Sequence, residues 1–378
     1  MIGWKTVTAA AAGVAILIAV VLTRATFLAP PALSPANGGV ANMTWEANMD
    51  EGVAAFKEHR YAAAEPAFSA AVKAAEGFGR LDPRLEVSLN FLATTQLSQD
   101  AHGKAEPVLR RLIEIQEQTL KAGDPKLLDT LIKLGVACRM QGKYAEAEPH
   151  YRRALRISQD TLPADHVEIG LILNNLAAVL SSLGKHAEAE ALFSQSIKIR
   201  EKALGPDHPD VGASLRGLAG IHLIQKRYNE AKAEFYRSLA IEEKSLGTEH
   251  PNLAHSLNNL AGVLQFLGER DGAMSALRRA IAIREKALGA DHVLVAISLA
   301  NLATFIGANG QIADAEPHYL RALRIFEKNL GPDDPNVADT LEQYASMLRT
   351  YNRATEAEKL EARAQAIRAK DRTGHQKP

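Results

Sequence analysis

Four histidines recur along the chain at a fixed interval of 42 residues, and a series of histidines is a pattern that can bind metal ions. They are His166, His208, His250 and His292. Packed helices lie about 10 Å apart, whereas zinc needs its ligand nitrogens at about 2.1 Å. Neighbouring histidines therefore cannot share one ion, and no metal site is predicted. We predict instead that aspartate caps the next helix and that the histidine packs over the turn.

Cys138 is the single cysteine, so the chain has neither an internal disulfide nor a cysteine-rich zinc site. It stands where equivalent segments carry leucine or isoleucine, which favours a buried apolar role. The sequence has no Gly-rich phosphate loop and no HExxH or GxSxG motif. Its acidic residues are scattered, with no evident acid–base pair. We therefore predict that the protein is not an enzyme and needs no cofactor.

Composition excludes two further classes of protein. The 378 residues are 47% apolar and 23% charged, with 44 basic against 44 acidic side chains. Intrinsic disorder requires low hydrophobicity and high net charge, and neither is present. Nucleic-acid binding requires a basic surplus to neutralise phosphates. No nucleic-acid partner is therefore predicted.

One motif recurs every 42 residues along residues 44–370, and its secondary-structure elements would position any functional site. Turn residues mark the period at Pro83, Pro125, Val167, Pro209, Pro251, Val293 and Pro335. Alanines mark it at Ala105, Ala147, Ala189, Ala231, Ala273, Ala315 and Ala357. Leucines mark it at Leu89, Leu131, Leu173, Leu215, Leu257, Leu299 and Leu341. Three markers that stay in phase indicate a repeat array.

Each repeat reads as two helices. Between residues 252 and 289, apolar residues recur at spacings of three and four, which predicts one buried helix face before Gly268 and a second after it. The first stripe is Leu253, Leu257, Leu260, Ala261 and Leu264. The second is Ala273, Leu277, Ala280, Ile281 and Leu288. Gly289 then ends the second helix.

These spacings resemble the tetratricopeptide repeat (TPR). The resemblance rests on large and small residues at the family's positions, which are Leu257, Leu260, Ala261, Leu264, Ala273, Leu277 and Ala280. The 42-residue period resembles the kinesin light chain type, as do the phrases LNNLA from Leu173 and Leu257, and IREKALGPDHPDV from Ile199. The resemblance implies an all-α, right-handed α-solenoid of about eight helix-turn-helix repeats.

The resemblance also implies a concave groove lined by fixed positions of each first helix. In the four central repeats these 24 positions hold a single certain charge, Arg216, where five or six would be expected at random. The predicted peptide-binding residues are Asn174, Asn175, Arg216, Asn258, Asn259, Gln265, Phe266 and Asn301. Kinesin light chain arrays are similar in holding peptides through groove asparagines. Two interpretations stay open: a groove for an extended peptide, or tight packing of small residues and amides.

The amino-terminal residues 1–28 are predicted to form a membrane anchor. Residues 6–23 carry no charge, Lys5 precedes them and Arg24 follows. Eighteen helical residues span about 27 Å, close to the hydrocarbon thickness of about 30 Å. A cleaved signal peptide has a similar layout, but no clean A-x-A site follows here. We expect the array on the extracytoplasmic (periplasmic) side, or secreted after cleavage in the alternative.

The remaining segments complete the predicted organisation. Residues 29–43 are rich in proline and glycine and form a linker, and residues 371–378 are a disordered polar tail. The predicted function is a membrane-tethered scaffold that binds a peptide or protein partner in its groove. The alternative is a non-catalytic structural or regulatory subunit of an envelope assembly or export complex, binding through its convex face. The oligomeric state is not predicted.

Overall fold

The computed structural model describes the backbone of residues 39–374 and the side chains of residues 42–370. This part of the chain contains sixteen α-helices and no β-strand. In chain order they are α1 Gly39–Lys57, α2 Tyr61–Glu76, α3 Pro83–Ser98, α4 His102–Thr119, α5 Lys126–Met140, α6 Tyr144–Thr161, α7 Val167–Ser182, α8 His186–Leu204, α9 Pro209–Ile224, α10 Tyr228–Leu246, α11 Leu253–Phe266, α12 Arg270–Leu288, α13 Val293–Ala308, α14 Ile312–Leu330, α15 Pro335–Thr350 and α16 Ala354–Gly374.

The described residues form two compact units, an N-terminal unit of residues 39–221 and a C-terminal unit of residues 222–374. Within each unit, consecutive helices pack against each other, and the first helix of one repeat also contacts the first helix of the next. The predicted all-α helical repeat is therefore confirmed. Because each helix touches mainly its sequence neighbours, each unit has the layered core of a repeat array.

The core is built from the periodic apolar residues. Leu257, Leu260, Ala261 and Leu264 of α11 are buried, as are Ala273, Leu277 and Ala280 of α12. Small residues allow the paired helices to approach. At Gly135 an added Cβ would lie 2.7 Å from the Tyr151 ring, so only glycine leaves room for that ring. The alternation of small and large residues predicted from the sequence is what fills the space between helices.

Ion pairs at repeating positions connect the second helices of neighbouring repeats. One series in the C-terminal unit joins α10, α12, α14 and α16 through Glu243–Arg279, Glu285–Arg321 and Glu327–Arg363. A second series joins the acidic residue of an inter-repeat turn to a lysine of the following second helix, in the pairs Asp165–Lys202, Asp291–Lys328 and Asp333–Lys370. Most of these pairs are partly exposed, so each adds little to the free energy of unfolding. Their main effect is to align the second helices of neighbouring repeats.

Three predicted segments differ from, or lie outside, the described helices. Helix α1, as described, begins at Gly39, inside the predicted linker and after its last proline, Pro35. Helix α16 runs to Gly374, into the predicted polar tail. The predicted membrane span, residues 6–23, lies outside the described residues. Among the helices of the described part, none is both long and apolar enough to cross a membrane.

Candidate functional site

Asn174 of α7, one of the predicted groove residues, belongs to a buried hydrogen-bond network. Its Oδ1 accepts from the Ser214 hydroxyl at 3.1 Å. The Arg200 guanidinium donates to the same hydroxyl at 2.9 Å and to the backbone carbonyl of Asp210 at 2.7 Å. The network therefore joins α7, α8 and α9, and the Asn174 side chain is used to hold neighbouring repeats together.

The same network recurs 84 residues later in the C-terminal unit. The Asn258 Nδ2 donates to the Ser298 hydroxyl at 3.3 Å. Arg284 donates to that hydroxyl at 2.6 Å and to the carbonyl of Leu294 at 2.9 Å. Asn174 and Asn258 occupy the same position in their repeats, so the packing interpretation applies to this position.

The two arginines of these networks were not among the predicted site residues. Arg200 and Arg284 are buried, and burial lowers the pKa of each guanidinium to about 10. The hydrogen bonds described above go to hydroxyl and backbone carbonyl oxygens, and the Nε of each arginine has no hydrogen-bond partner among the described residues. The sequence feature that could have indicated them is the IREK phrase, which both repeats share and in which the arginine lies on the buried face of the second helix.

In α7, α11 and α13 the next position holds an asparagine, namely Asn175, Asn259 and Asn301. None of these three amides bonds to a neighbouring repeat among the described residues. Asn259 and Asn301 are half-buried. The Asn259 Nδ2 lies 3.4 Å from His255 Nε2, one turn earlier on the same helix. Asn175 is 1% exposed, and its Nδ2 has no partner in the described part of the chain. The amides that remain accessible are therefore those of Asn259 and Asn301.

Aromatic and aliphatic side chains lie at the carboxyl ends of the first helices. Phe266 is 52% exposed, and its ring stacks on Tyr228 with centroids 4.9 Å apart and planes 6° apart. Ile224, at the equivalent position of the preceding repeat, is 55% exposed. Gln265 is half-buried, and its Oε1 has no partner among the described residues. Phe266 and Ile224 therefore offer apolar contact area, whereas the Gln265 Oε1 is itself buried.

The predicted groove residues fall into two sets. Asn174, Asn175 and Arg216 belong to the N-terminal unit, where Arg216 is half-buried. The other five belong to the C-terminal unit. The accessible residues at these positions of the C-terminal unit are here named the first-helix surface: His255, Asn259, Gln265, Phe266, Ile297 and Asn301.

The charge-poor stretch ends on both sides of the four central repeats. In α5, Lys133 is buried and donates to Asp129 at 2.6 Å and to Asn90 at 2.8 Å. In α15, Asp339 and Glu342 both pair with Arg368. Charged side chains therefore occupy the equivalent positions in these flanking repeats, where partners within the chain neutralise them.

The recurring histidines accept a backbone N–H at the start of the next helix, which corrects the prediction that aspartate does so and that histidine packs over the turn. The Nδ1 of His166 accepts from the Glu168 N–H at 3.3 Å, and that of His292 from the Leu294 N–H at 3.1 Å. His208 and His250 do the same for Asp210 and Asn252, at 3.1 and 3.3 Å. The acidic residue before the histidine instead pairs with a lysine of the next repeat, as Asp165 does with Lys202.

One cluster has the residue types of a metal site. Ligand atoms of Glu106, Cys138 and Glu146 all lie within 4.8 Å of one another. The Glu106 carboxylate already accepts from Lys143, Arg110 and Gln141 at 2.7–2.8 Å, and Lys143, with these other donors, lowers its pKa to about 2. Burial raises the pKa of the Cys138 thiol to about 11. A cation would have to displace two positive side chains, so the cluster is an inter-repeat ion-pair network.

His222 occupies the repeat position of Cys138, and the sequence analysis did not single it out. Its Nδ1 lies 2.8 Å from an Oε2 of Glu234, and both side chains are largely shielded from solvent. Burial raises the pKa of the Glu234 carboxyl, while His222 opposes that shift. The pair replaces the aliphatic contacts made at this position in other repeats, such as Leu264.

The family comparison bears on the whole array. A tetratricopeptide repeat model matches residues 102–160, 168–232, 213–286 and 294–370, together more than half of the chain. The comparison with curated proteins gave no match.

Solved structures share this architecture. A crystal structure of a Podosopora anserina protein, described as a kinesin light chain with nearly identical TPR-like repeats, is 27% identical over 55% of this chain and 97% of its own, with a TM-score of 0.50. RapI in its apo form is 14% identical over 76% of this chain and 99% of its own, with a TM-score of 0.58. A Rap protein complexed with Competence and Sporulation Factor is 16% identical over 87% and 98%, with a TM-score of 0.52. At these identities the two Rap structures show a common fold alone.

Proposed function

The chain belongs to the tetratricopeptide repeat family, and from this premise we propose that it is a non-catalytic scaffold that holds a protein partner through an extended peptide segment. The first-helix surface of the C-terminal unit binds that segment. The repeat fold supports an interaction role because such arrays present long surfaces without a central reaction site. A Rap protein of similar fold was solved in complex with Competence and Sporulation Factor, which is consistent with ligand binding by this architecture.

The observation that carries the proposal is the difference between two adjacent positions of α11. Asn258 is buried and bonded to Ser298 of the next repeat, whereas Asn259 is half-buried and makes no such bond among the described residues. Asn301 repeats this accessible position in α13. Amides at a 42-residue spacing can bond the backbone N–H and C=O groups of an extended peptide whatever its sequence. Phe266 and Ile297 supply apolar contacts beside them.

We propose further that residues 6–23 tether the array to a membrane, with the repeats on the extracytoplasmic side. The support is the uncharged length of this segment and the absence of a clean cleavage site after it. The full-length chain should then resist extraction from membranes by carbonate and keep its original N-terminus. Release into the supernatant, or an N-terminus mapped near Thr26 or Asn37, would contradict the tether and support a cleaved signal.

The binding surface can be tested by site-specific photo-crosslinking in the full-length chain. A photoreactive residue at Ile297 samples the first-helix surface, and one at Tyr236 or Leu320 samples exposed positions of the second helices. We expect one partner to crosslink at Ile297 and not at the other two positions. Crosslinking only at Tyr236 and Leu320 would support the alternative, a structural or regulatory subunit that binds through its second-helix face.

Affinity measurements on the identified partner then separate binding from packing. Asn259→Ala/Asn301→Ala should weaken binding about 10- to 100-fold, since each amide contributes one or two hydrogen bonds worth about 0.5–1.5 kcal/mol net. Asn175→Ala is the matched control, because it makes the same change at the same repeat position where the side chain is 1% exposed. Equal losses in both variants, or none in the double variant, would rule out the accessible asparagines as the binding groups.

A further inference from the structure

One position in the inter-repeat turn accepts a backbone N–H at the amino end of the next helix, and its residue is aspartate in three repeats and histidine in four. The seven residues are Asp82, Asp124, His166, His208, His250, His292 and Asp334. The Oδ1 of Asp82 accepts from the Arg84 N–H at 2.9 Å, and that of Asp334 from the Asn336 N–H at 2.8 Å. The histidines accept the equivalent N–H through Nδ1. Histidine is thus chemically a substitute for the aspartate cap.

The two kinds of cap respond differently to acid. A neutral imidazole has one acceptor nitrogen, and in these turns Nδ1 faces the backbone N–H. Protonation converts that nitrogen into a donor, so the capping hydrogen bond is lost and a positive charge is left at the positive end of the helix dipole. An aspartate cap stays ionised and accepting throughout the range in which histidine ordinarily changes charge.

We propose that the histidine caps make the first turns of α7, α11 and α13 sensitive to acid, so that these helices loosen at their amino ends on moderate acidification while the aspartate-capped α3 and α15 do not. Three repeats of one array then carry a built-in pH response that their neighbours lack. The response needs no ligand, because it follows from the protonation of His166, His250 and His292 themselves.

Charged side chains of both signs surround each of these three turns. They are Asp165, Glu168 and Lys202 at His166, Glu249, Arg279 and Lys286 at His250, and Asp291, Arg321, Arg324 and Lys328 at His292. Each preceding acid is paired with a lysine of the following second helix.

His208 differs from the other three. The Oδ2 of the buried Asp210 lies 3.8 Å from its Nδ1, so a protonated His208 gains an ion pair as it loses the cap. We therefore expect the amino end of α9 to respond less than those of α7, α11 and α13. This helix is an internal comparison with the same capping residue and a different neighbour.

The test is amide hydrogen exchange on the full-length chain at about pH 7.5 and about pH 5.5, conditions that bracket ordinary histidine protonation. Exchange is corrected for its intrinsic pH dependence and expressed relative to the first turns of α3 and α15. In the wild type, the relative exchange of the first turns of α7, α11 and α13 should rise about fivefold at the lower pH, as expected for the loss of one cap.

Two variants make the outcome decisive. His166→Asp/His250→Asp/His292→Asp should abolish the relative change, because carboxylate caps stay ionised, and His166→Ala/His250→Ala/His292→Ala should exchange fast at both pH values. An unchanged wild-type ratio would overturn the proposal, as would an acid response that persists in the aspartate variant. Equal exchange of the alanine variant and the wild type at the higher pH would also overturn it, because the caps would then contribute nothing.

Discussion

At the scale of single residues, the turn between the two helices of a repeat requires a left-handed backbone. Gly142, Gly184, Gly268 and Gly310 hold this turn with φ between 74° and 90°, and Lys226 holds the equivalent turn with φ of 62°. A residue with a Cβ is strained in this region by about 1 kcal/mol relative to glycine. Lys226 therefore stores a small strain in its repeat.

Replacing Lys226 by glycine should raise the free energy of unfolding by about 0.5–1 kcal/mol, since relief of the strain exceeds the extra freedom gained by the unfolded chain. The reverse change, Gly268→Lys, should lower it by a similar amount. Urea unfolding monitored by circular dichroism measures both. A glycine variant that is less stable than the wild type would show that the Lys226 side chain contributes more than its backbone costs.

Glu106 predicts a pH dependence with a definite sign. Lys143, with Arg110 and Gln141, lowers its pKa to about 2, so the folded protein binds this proton less tightly than the unfolded chain does. The contribution of the Glu106 charge to the free energy of unfolding is present in full above about pH 4.5, the ordinary pKa of a glutamate. It is lost as the pH falls to about 2. Because Lys143 and Arg110 are partly exposed, we expect it to be about 1–3 kcal/mol.

Unfolding of wild type and Glu106→Gln at neutral pH and at about pH 2.5 checks this expectation. The variant should be less stable than the wild type at neutral pH, and the difference should shrink in acid, because the contribution of the Glu106 charge is lost as the pH falls towards its pKa of about 2. Glu117→Gln is a suitable control, since this acid also pairs with an arginine of the next repeat but is largely exposed. A difference that stays constant with pH would mean that the lost stability is not due to the Glu106 charge.

At the scale of helices, one inter-repeat ion pair has its charges reversed. In several repeats the amino end of the second helix carries an acid that pairs with a basic residue at the start of the next second helix, as in Glu106–Lys143 and Glu148–Lys185. At the equivalent positions Lys232 pairs with Glu269 at 2.6 Å. The repeated element is therefore the pairing of opposite charges, and the identity of each partner is interchangeable.

Changing the charges of the Lys232–Glu269 pair tests whether it contributes to the packing of neighbouring second helices. Lys232→Glu should lower the free energy of unfolding by about 0.5–1 kcal/mol, because two acids then face each other, and Lys232→Glu/Glu269→Lys should restore most of it. Unfolding at low and at high salt measures the effect, which salt should weaken. If the double variant is as unstable as the single one, the two side chains do not interact across the repeats.

At the scale of the whole molecule, stability is distributed along the chain because no central core connects distant repeats within a unit. Each repeat contributes its own packing and its contacts with its neighbours. Leu260 is a representative core residue: it lies in α11, is 2% exposed and belongs to the periodic apolar stripe. A cavity at this residue should therefore destabilise mainly its own repeat and the adjacent repeats.

Leu260→Ala should cost about 2–5 kcal/mol, as expected for a buried leucine. Hydrogen exchange should rise mainly in α11 and α12 and in the adjoining helices of the C-terminal unit, and should change little in α3–α6. Leu294→Ala, at a partly exposed leucine of α13, is the matched control and should change little. A uniform rise over all described helices would indicate a single cooperative globule in place of a repeat array.

The sequence by itself determined the repeat period, the sixteen-helix pattern and the membership of the core. These features depend on local periodicity: residues spaced three and four apart share a helix face, and a glycine that repeats every 42 residues ends a helix wherever it occurs. The buried leucines and alanines of α11 and α12 follow directly from that pattern. The family resemblance supplied the first-helix positions of the predicted groove, but it did not distinguish the buried side chains among them from the accessible ones.

Only the tertiary structure decided which polar side chains are used for packing. Asn258 and Asn259 are adjacent in sequence and identical in type, but they point about 100° apart around the helix, so the next repeat covers one and leaves the other accessible. The burial of Arg284 and the capping by His292 likewise depend on where the following helix lies and which backbone groups it presents. Periodicity specifies the face of a helix, whereas the partner of each atom on that face is specified by the packing of neighbouring repeats.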